Sequence, residues 1–294
     1  MPDTISSSSW TAPEIVVVPL DDCDTKIAQA IAETLNLTVT PNPVAGRKRD
    51  NQTSRHRGLS ERQCPTQTVA TRWQLKVSEN TRTLVRPDGV SLAINFASGR
   101  ASTRAAEPDF HRQPLSKALG VATLLKSIGR APLVLDATAG FGQDAWLMAN
   151  LGCDVVMVEQ SALLCHLLDH ALLLATDTSE HGNIVRKLTL VEADSTEWMK
   201  HHPQSVDVVY LDPMYPQRRK SAKVKKAMQF LHVLIGPNNN DHQWLQAALS
   251  CATHRVVVKR PSGASPLLGT ELFDGQITHI ESPNTRYDVY HLHP

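Results

Sequence analysis

A short proline-rich segment that follows an apolar run carries residue types able to handle an amino group. The run Val206 to Leu211 leads directly into Asp212-Pro213-Met214-Tyr215-Pro216. The Asp212 carboxylate and the Pro213 carbonyl can accept the two N–H groups of the exocyclic amine of a nucleobase. The Tyr215 ring can stack on the same nucleobase. Methylation of such an amine by a sulfonium needs chiefly in-line positioning. We therefore predict Asp212, Pro213 and Tyr215 as catalytic residues, with a proline-rich turn and a packed tyrosine as the alternative.

A glycine-containing turn earlier in the chain also follows an apolar run. Leu133 to Asp136 is followed by Ala137-Thr138-Ala139-Gly140-Phe141-Gly142, and glycine lets a backbone approach a ligand closely because it has no Cβ. The next apolar run ends at Glu159, where a carboxylate can accept hydrogen bonds from both hydroxyls of a ribose. This pattern predicts a nucleoside site. The same spacing also fits the dinucleotide site of a nicotinamide dehydrogenase, or a tight turn that binds nothing.

Polar residues end two further apolar runs. Asp194 follows the third strand of the expected sheet, where its carboxylate could accept from an adenine amine, cap the next helix, or do both. Lys259 and Arg260 end another strand and can only donate hydrogen bonds. They could therefore hold an RNA phosphate or the O6 atom of guanine, with a structural ion pair as the alternative.

The net charge of +1 hides two basic clusters. Residues 1–130 hold 17 Lys and Arg against 12 Asp and Glu, net +5, and the remaining 13 against 17 give −4. One cluster lies in 46–68, a stretch without apolar periodicity that we interpret as a basic loop with a possible RNA contact. The other, Arg218 to Lys226, contains no acidic residue, which favours RNA contact over a solvated helix face. The predicted RNA-binding residues are Arg218, Arg219, Lys220, Lys223, Lys259 and Arg260.

Alternating strand and helix patterns predict the elements that bring these residues together. From about Gln113 onward, apolar strand-like runs alternate with helical patterns, which requires a parallel sheet covered on both faces. Runs at Gln276 to Glu281 and Tyr287 to Leu292 predict a closing antiparallel hairpin. We therefore expect an α/β fold: a Rossmann-like class I methyltransferase sheet with a C-terminal hairpin in 113–294, and a small N-terminal α/β lobe in 1–112.

Two local predictions concern the region before and around that boundary. Runs at Arg72 to Val77 and Val90 to Phe96 flank Pro87-Asp88-Gly89, which indicates two strands about a turn. One continuous helix is expected from Pro114 to Ile128.

Composition excludes several classes of protein. No apolar run approaches the ~20 residues of a membrane span, and the N-terminus lacks the pattern of a secretory signal, so we predict a cytoplasmic location. The five cysteines are scattered and form no CxxC pair, which indicates reduced thiols. His166 and His170 lie at helical spacing with Asp169 between them, but they lack the third ligand of a metal site, so no metal is expected.

Several segments taken together resemble the bacterial ribosomal RNA small-subunit methyltransferase J family. They cover roughly residues 85 to 294 and are Asp136 to Ala145, Leu151 to Cys153, Tyr210 to Pro216 with the following Lys-rich stretch, Arg255 to Pro261, and Arg286 to Tyr290. The resemblance implies an S-adenosylmethionine-dependent enzyme that methylates the N2 amine of one guanine in small-subunit (16S) ribosomal RNA.

The resemblance also implies where the cofactor would be bound. Together with the glycine turn, the predicted cofactor residues are Asp136, Gly140, Gly142, Gln143, Asp144, Glu159, Gln160, Asp194, Ser195 and Asp212. The family commonly has arginine where this chain has Gln143 and Gln160. Two functional alternatives remain beside the dehydrogenase: an amino-methyltransferase acting on another RNA or on DNA adenine, and a non-catalytic RNA-binding protein with the same fold.

Overall fold

The computed structural model describes residues 11–42, 71–97, 100–107, 109–176, 181–214, 226–236, 241–267 and 270–292. The chain divides into two compact units: a small unit, Ala12–Ala93, and a large unit that contains Ile94–Pro294. The sequence pattern had placed this boundary between residues 112 and 113. Phe96 stacks on Trp146 with ring centroids 4.7 Å apart, which ties the segment before residue 113 to the large unit. The predicted basic loop at 46–68 lies outside the described residues.

In its described residues, the small unit has a five-stranded sheet and an α-helix of eleven residues. Its strands lie in the order β2-β1-β3-β4-β5, with β1 parallel to β2 and β3 and the others antiparallel. The elements are β1 (Ile15–Pro19), α1 (Thr25–Leu35), β2 (Thr38–Val39), β3 (Trp73–Ser78), β4 (Thr81–Val85) and β5 (Ser91–Leu92).

Two strands of this sheet, the two-residue β2 and the longer β4, were not predicted from the sequence. The antiparallel partner of β3 is β4, and the turn at Pro87 to Gly89 joins β4 to the two-residue strand β5. β4 is rich in Thr and Arg, and only Leu84 is fully buried, so it shows little of the apolar alternation that marks a strand.

The large unit alternates helices with strands and ends in a hairpin. Its helices are α2 (Arg100–Ala105), α3 (Pro114–Leu119), α4 (Val121–Ile128), α5 (Gln143–Asn150), α6 (Ala162–Thr176), α7 (Gly182–Val185), α8 (Ser195–His201), α9 (Lys226–Ile235) and α10 (Asp241–Cys251). Its strands are β6 (Leu133–Asp136), β7 (Asp154–Glu159), β8 (Leu188–Glu192), β9 (Val206–Leu211), β10 (Ala252–Pro261), β11 (Gln276–Ser282) and β12 (Thr285–His291).

These seven strands form one sheet in the order β11-β12-β10-β9-β6-β7-β8. The five strands from β6 to β10 run parallel, and β11 and β12 add the predicted antiparallel hairpin. The order of the strands reverses between β6 and β9, and ligands of open parallel sheets bind outside the carboxyl ends at such a reversal. The predicted fold class is thus confirmed, and the reversal places Asp136 and Asp212 beside one another.

Buried side chains cover both faces of this sheet. Leu135, Val209 and Val256 pack on one face, while Val134, Tyr210 and Val257 pack on the other. This is the side-chain alternation of a strand, here apolar on both faces because helices cover each side. At the opposite edge from the carboxyl ends, buried Asp207 accepts the Leu133 backbone N–H at 2.7 Å and the Arg130 guanidinium at 2.6 Å, which aligns β6 with β9.

The expected single helix from Pro114 to Ile128 is divided at Gly120. Gly120 has φ +65°, a left-handed conformation that ends α3 and precedes α4. This positive φ is what favours glycine here, and an added Cβ would displace only the flexible end of the Arg255 side chain. Within the part of the chain that the structure describes, no helix is both long and apolar enough to cross a membrane.

Candidate active site at the strand reversal

A cavity of about 470 Å³ opens at the carboxyl ends of β6, β7 and β9. This volume suits a small-molecule ligand. Every predicted cofactor residue except Gly142 lines this cavity, as do Pro213 and Lys259. The fold therefore brings together side chains that are far apart in sequence, and their individual roles stay predictions.

The two glycines of the first turn differ in what they do. Gly140 has φ +54° and lines the cavity, which leaves the backbone accessible to a ligand. Gly142 has φ +67°, but an added Cβ would lie 2.8 Å from Leu168 Cδ2 and 3.1 Å from Phe96 Cζ. Gly142 thus permits the start of α5 to pack on its neighbours, and it is not one of the residues that surround the cavity.

Glu159, at the end of β7, is held by the backbone around the cavity. Its Oε2 atom accepts the Gly140 N–H at 3.0 Å and its Oε1 atom accepts the Ser161 N–H at 2.9 Å. Burial raises the pKa of Glu159 above its ordinary value, although these backbone donors act in the opposite direction. Each carboxylate oxygen retains a lone pair after these bonds, so Glu159 can still accept two hydroxyl groups.

Asp136, at the end of β6, is the most buried carboxyl group of the site. It is 1% exposed, and its Oδ1 atom accepts the Thr138 backbone N–H at 3.1 Å and the Thr138 hydroxyl at 3.3 Å. Burial, and then the charge of Asp144, raises the pKa of Asp136 to about 7. The Asp136 carboxyl group therefore ionises near neutral pH rather than near pH 4.

This pKa predicts a pH-dependent contribution to stability. Between the ordinary value near 4 and about 7, the folded protein binds more protons at Asp136 than the unfolded chain does. The stabilisation is therefore complete below about pH 4 and is lost as the pH rises through about 7. We expect the free energy of unfolding of wild type to fall with rising pH more steeply than that of Asp136→Asn, by up to about 1.4 kcal/mol per pH unit. Denaturant titrations across this pH range measure the free energy of unfolding of both proteins. Equal slopes of that free energy against pH in wild type and Asp136→Asn would contradict the prediction.

The segment that follows β8, together with the helices α9 and α10, completes the wall of the cavity. Asp194 caps α8, its Oδ1 atom accepting the Glu197 N–H at 3.0 Å, and it also lines the cavity beside Ser195. The apolar part of the wall includes side chains that the sequence reasoning did not single out, namely Leu231, Ile235 and Trp244. They come from α9 and α10, whose helical patterns alone do not reveal which face meets the sheet edge.

An ion-paired cluster occupies the side of the cavity nearest the Asp-Pro segment. Lys259 Nζ lies 2.7 Å from Asp144 Oδ2 and 2.7 Å from Asp212 Oδ2, so one ammonium group bridges two carboxylates. The hydroxyl of buried Tyr210 also donates to Asp144 Oδ2, at 2.6 Å. The Asp212 backbone N–H donates to the Thr138 hydroxyl at 2.8 Å, which holds the strand end against the first turn.

The two carboxylates of this cluster have opposite pKa shifts. Burial would raise the pKa of Asp144, but the charge and hydrogen bond of Lys259, with the Tyr210 hydroxyl, lower it below its ordinary value. Burial raises the pKa of Asp212 above its ordinary value, and the Asp144 charge adds to this despite Lys259. Burial alone would lower the pKa of Lys259, yet the two carboxylates hold it well above its usual range. Lys259 therefore stays charged.

Lys259 and Arg260 do not share the environment that the sequence suggested. Adjacent residues of a strand point to opposite faces, so Lys259 faces the cavity while Arg260 does not. Arg260 is 6% exposed and its guanidinium donates to the Ser265 carbonyl, so its contact with an RNA phosphate stays a prediction. The period-2 alternation of β10 was the signal that would have separated them. The other predicted catalytic and RNA-binding residues, Tyr215, Arg218, Arg219, Lys220 and Lys223, lie outside the described residues.

Comparison with known proteins identifies relatives over most of the chain. Ribosomal RNA small subunit methyltransferase J of Nitrosococcus oceani is 41% identical over 207 residues, which are 70% of this chain and 78% of that protein. The protein of the same name from Shewanella baltica is 37% identical over 236 residues, 76% of this chain and 92% of that protein. A crystal structure of a SAM-dependent methyltransferase from Neisseria gonorrhoeae matches with a TM-score of 0.62 and 25% identity, covering 95% of this chain and 96% of that one.

The matching family model is described as "Putative SAM-dependent methyltransferase" and covers residues 55–292. S-adenosylmethionine is accordingly the cofactor, which excludes the nicotinamide dehydrogenase. The residues present fit it: Glu159 retains lone pairs for a ribose diol, Gly140 leaves room beside the turn, and Trp244 and Ile235 offer apolar surface for a base. The chain therefore belongs to the family of S-adenosylmethionine-dependent methyltransferases that is represented by ribosomal RNA small subunit methyltransferase J.

Proposed function

We propose that this protein transfers the methyl group of S-adenosylmethionine to the exocyclic N2 amine of a guanosine in small-subunit (16S) ribosomal RNA. One observation carries the proposal: the Asp212 carboxylate stands in the cavity wall with only one of its oxygens engaged by Lys259. Among the described residues, no donor meets its Oδ1 atom. A carboxylate oxygen left open in this way suits an incoming amine N–H.

The residues of the Asp-Pro segment would bind and orient the amine. Asp212 accepts one N–H group and the Pro213 carbonyl accepts the other, which returns electron density to a nitrogen whose lone pair is otherwise delocalised into the base. When bound, the cofactor supplies an electrophilic methyl group on a sulfonium. Positioning of this kind can lower the activation barrier by up to about 7–11 kcal/mol. The Asp212 N–H bond to Thr138 keeps the acceptor aligned with the first turn.

Recognition of RNA would involve the basic segment that follows. Arg218, Arg219, Lys220 and Lys223 would contact phosphates, and Tyr215 would stack on the target base after it leaves the RNA helix. Unstacking costs a few kcal/mol, which stacking and phosphate contacts would offset. The substrate is ribosomal RNA or the assembled small subunit, and the enzyme would accordingly act in the cytoplasm. The relatives named above support this substrate class.

Transfer of radiolabelled methyl groups to unmethylated small subunits tests the function. We expect label in RNA, recovered as N2-methylguanosine on nucleoside analysis, and no label with fully methylated subunits as the matched control. Label in adenosine or in DNA would assign the enzyme to another amino-methyltransferase class. Cofactor binding without transfer to any nucleic acid would favour a non-catalytic RNA-binding protein and would refute the proposal.

A further inference from the structure

We infer that Asp144, Tyr210 and Lys259 are positioning residues that make Asp212 the carboxylate that receives the proton lost by the methylated amine. The inference rests on the proposed function and extends it. Asp212 would accept the proton that the amine loses. Asp144 would then act on Asp212 as well as on the cofactor.

The Lys259 ammonium group is shared unequally by two carboxylates. Asp144 Oδ2 receives two donors, Lys259 Nζ at 2.7 Å and the Tyr210 hydroxyl at 2.6 Å, whereas Lys259 is the one donor to Asp212 Oδ2 within the described part of the chain. The Asp144 side chain is 18% exposed and that of Asp212 is 38% exposed. Asp144 is thus the better-satisfied anion, and Asp212 is the one that faces incoming groups.

Helix α5 strengthens this inequality. Asp144 lies in its first turn, where the positive end of the helix dipole stabilises a carboxylate. Asp212 has no such support, because it follows a strand. The opposite pKa shifts of the two groups agree with this difference, Asp144 below and Asp212 above the ordinary value. Asp144 therefore serves as the permanent counter-charge of Lys259.

Among the described residues, charged and titratable groups from several elements act on Asp212. Lys259 reaches it from β10, Asp144 from α5, Asp136 from β6 and Tyr287 from β12. Arg104 of α2 acts on Asp144 and Tyr287, and the charge of Asp212 also acts on Tyr210 of its own strand. Lys259 is the only one of these groups that the structure joins to Asp212 by a hydrogen bond among the described residues.

The chemistry of methylation requires such an acceptor. The amine nitrogen uses its lone pair to form a bond to the methyl carbon as the carbon–sulfur bond breaks, and that bonding pair remains on sulfur as a neutral thioether. The nitrogen then carries a positive charge and one hydrogen too many. Transfer of this proton to Asp212 leaves a neutral methylamine and a carboxylic acid, while the Lys259–Asp144 pair stays ionised.

A titration of the free protein tests the arrangement without RNA or cofactor. With ¹³C-labelled aspartate, the Asp212 carboxyl signal is identified by its loss in Asp212→Asn. We expect its midpoint to fall by about one pH unit in Asp144→Asn, which removes the neighbouring negative charge, and to rise by about one unit in Lys259→Gln. Lys259→Arg should restore the midpoint toward wild type. Lys187→Gln, at a lysine paired with Asp154 far from the cavity lining, should leave it unchanged.

Single-turnover methylation gives the second readout. The acid limb of the pH–rate profile should move to lower pH in Asp144→Asn and to higher pH in Lys259→Gln, whereas a merely structural role would lower the rate without opposite displacements. Shifts of the Asp212 midpoint in the same direction, or no shift, would overturn the inference. If Lys259→Gln does not fold, Asp144→Asn decides alone. A wild type that methylates no RNA refutes the proposed function, while the titration still judges whether Asp144 and Lys259 control Asp212.

Discussion

Replacing Asp212 with asparagine should lower the single-turnover rate of methyl transfer by about 10²- to 10⁴-fold, the range typical of losing a positioned acid–base group. Asparagine retains the size of the side chain and one acceptor oxygen, but it has neither the charge nor the proton affinity of the carboxylate. The backbone N–H bond of residue 212 to Thr138 does not involve the side chain and should persist. We therefore expect cofactor affinity to change by less than about tenfold, because the remaining cofactor contacts are intact.

Rates with saturating cofactor and RNA, together with the cofactor dissociation constant from calorimetry, separate these effects. Asp154→Asn is a matched control, since Asp154 is an exposed residue at the start of β7, at the opposite end of that strand from the cavity. It should behave as wild type. A fully active Asp212→Asn enzyme would refute both the predicted catalytic role and the acceptance of a proton at this position.

Replacing Glu159 with glutamine should weaken cofactor binding by about 10- to 150-fold, from the ~1.5–3 kcal/mol that hydrogen bonds to a charged group contribute. Both carboxylate oxygens already accept backbone N–H groups, of Gly140 and Ser161. A glutamine amide turns one of those acceptors into a donor, so the variant would disturb the glycine turn as well as the hydroxyl contacts expected of the cofactor.

The rate at saturating cofactor should recover much of its wild-type value, because the role predicted for Glu159 is to bind the cofactor and not the amine. Thermal unfolding of the free variant shows whether the turn has been lost altogether. Glu192→Gln is the matched control: Glu192 is the register partner of Glu159 on β8, and it is exposed and does not line the cavity. An unchanged dissociation constant in Glu159→Gln would show that the ribose is not bound here.

Much of the large unit could be predicted because its signals are local. Strand β9 has the bounds of its apolar run, β7 ends at Glu159 as expected, and the closing hairpin lies where two apolar runs predicted it. The break at Gly120 was missed because the apolar pattern continues through it, although a left-handed glycine is a common end of a helix. Strand β4 was missed because few of its side chains are buried. The spacing of apolar residues therefore predicted a strand or helix well where the buried side chains recur with the period of that element.

For this protein, the sequence by itself determined the α/β alternation, the closing hairpin and the two strand-end segments that line the cavity. These follow from apolar periodicity and from residue types that lie within a few positions of one another. Only the tertiary structure decided that Lys259 joins Asp144 to Asp212, that Tyr210 supports Asp144, and that Arg260 is buried while Lys259 lines the cavity. These residues are brought together by the reversal of strand order and by the packing of α5, and such long-range contacts leave no periodic trace in the chain.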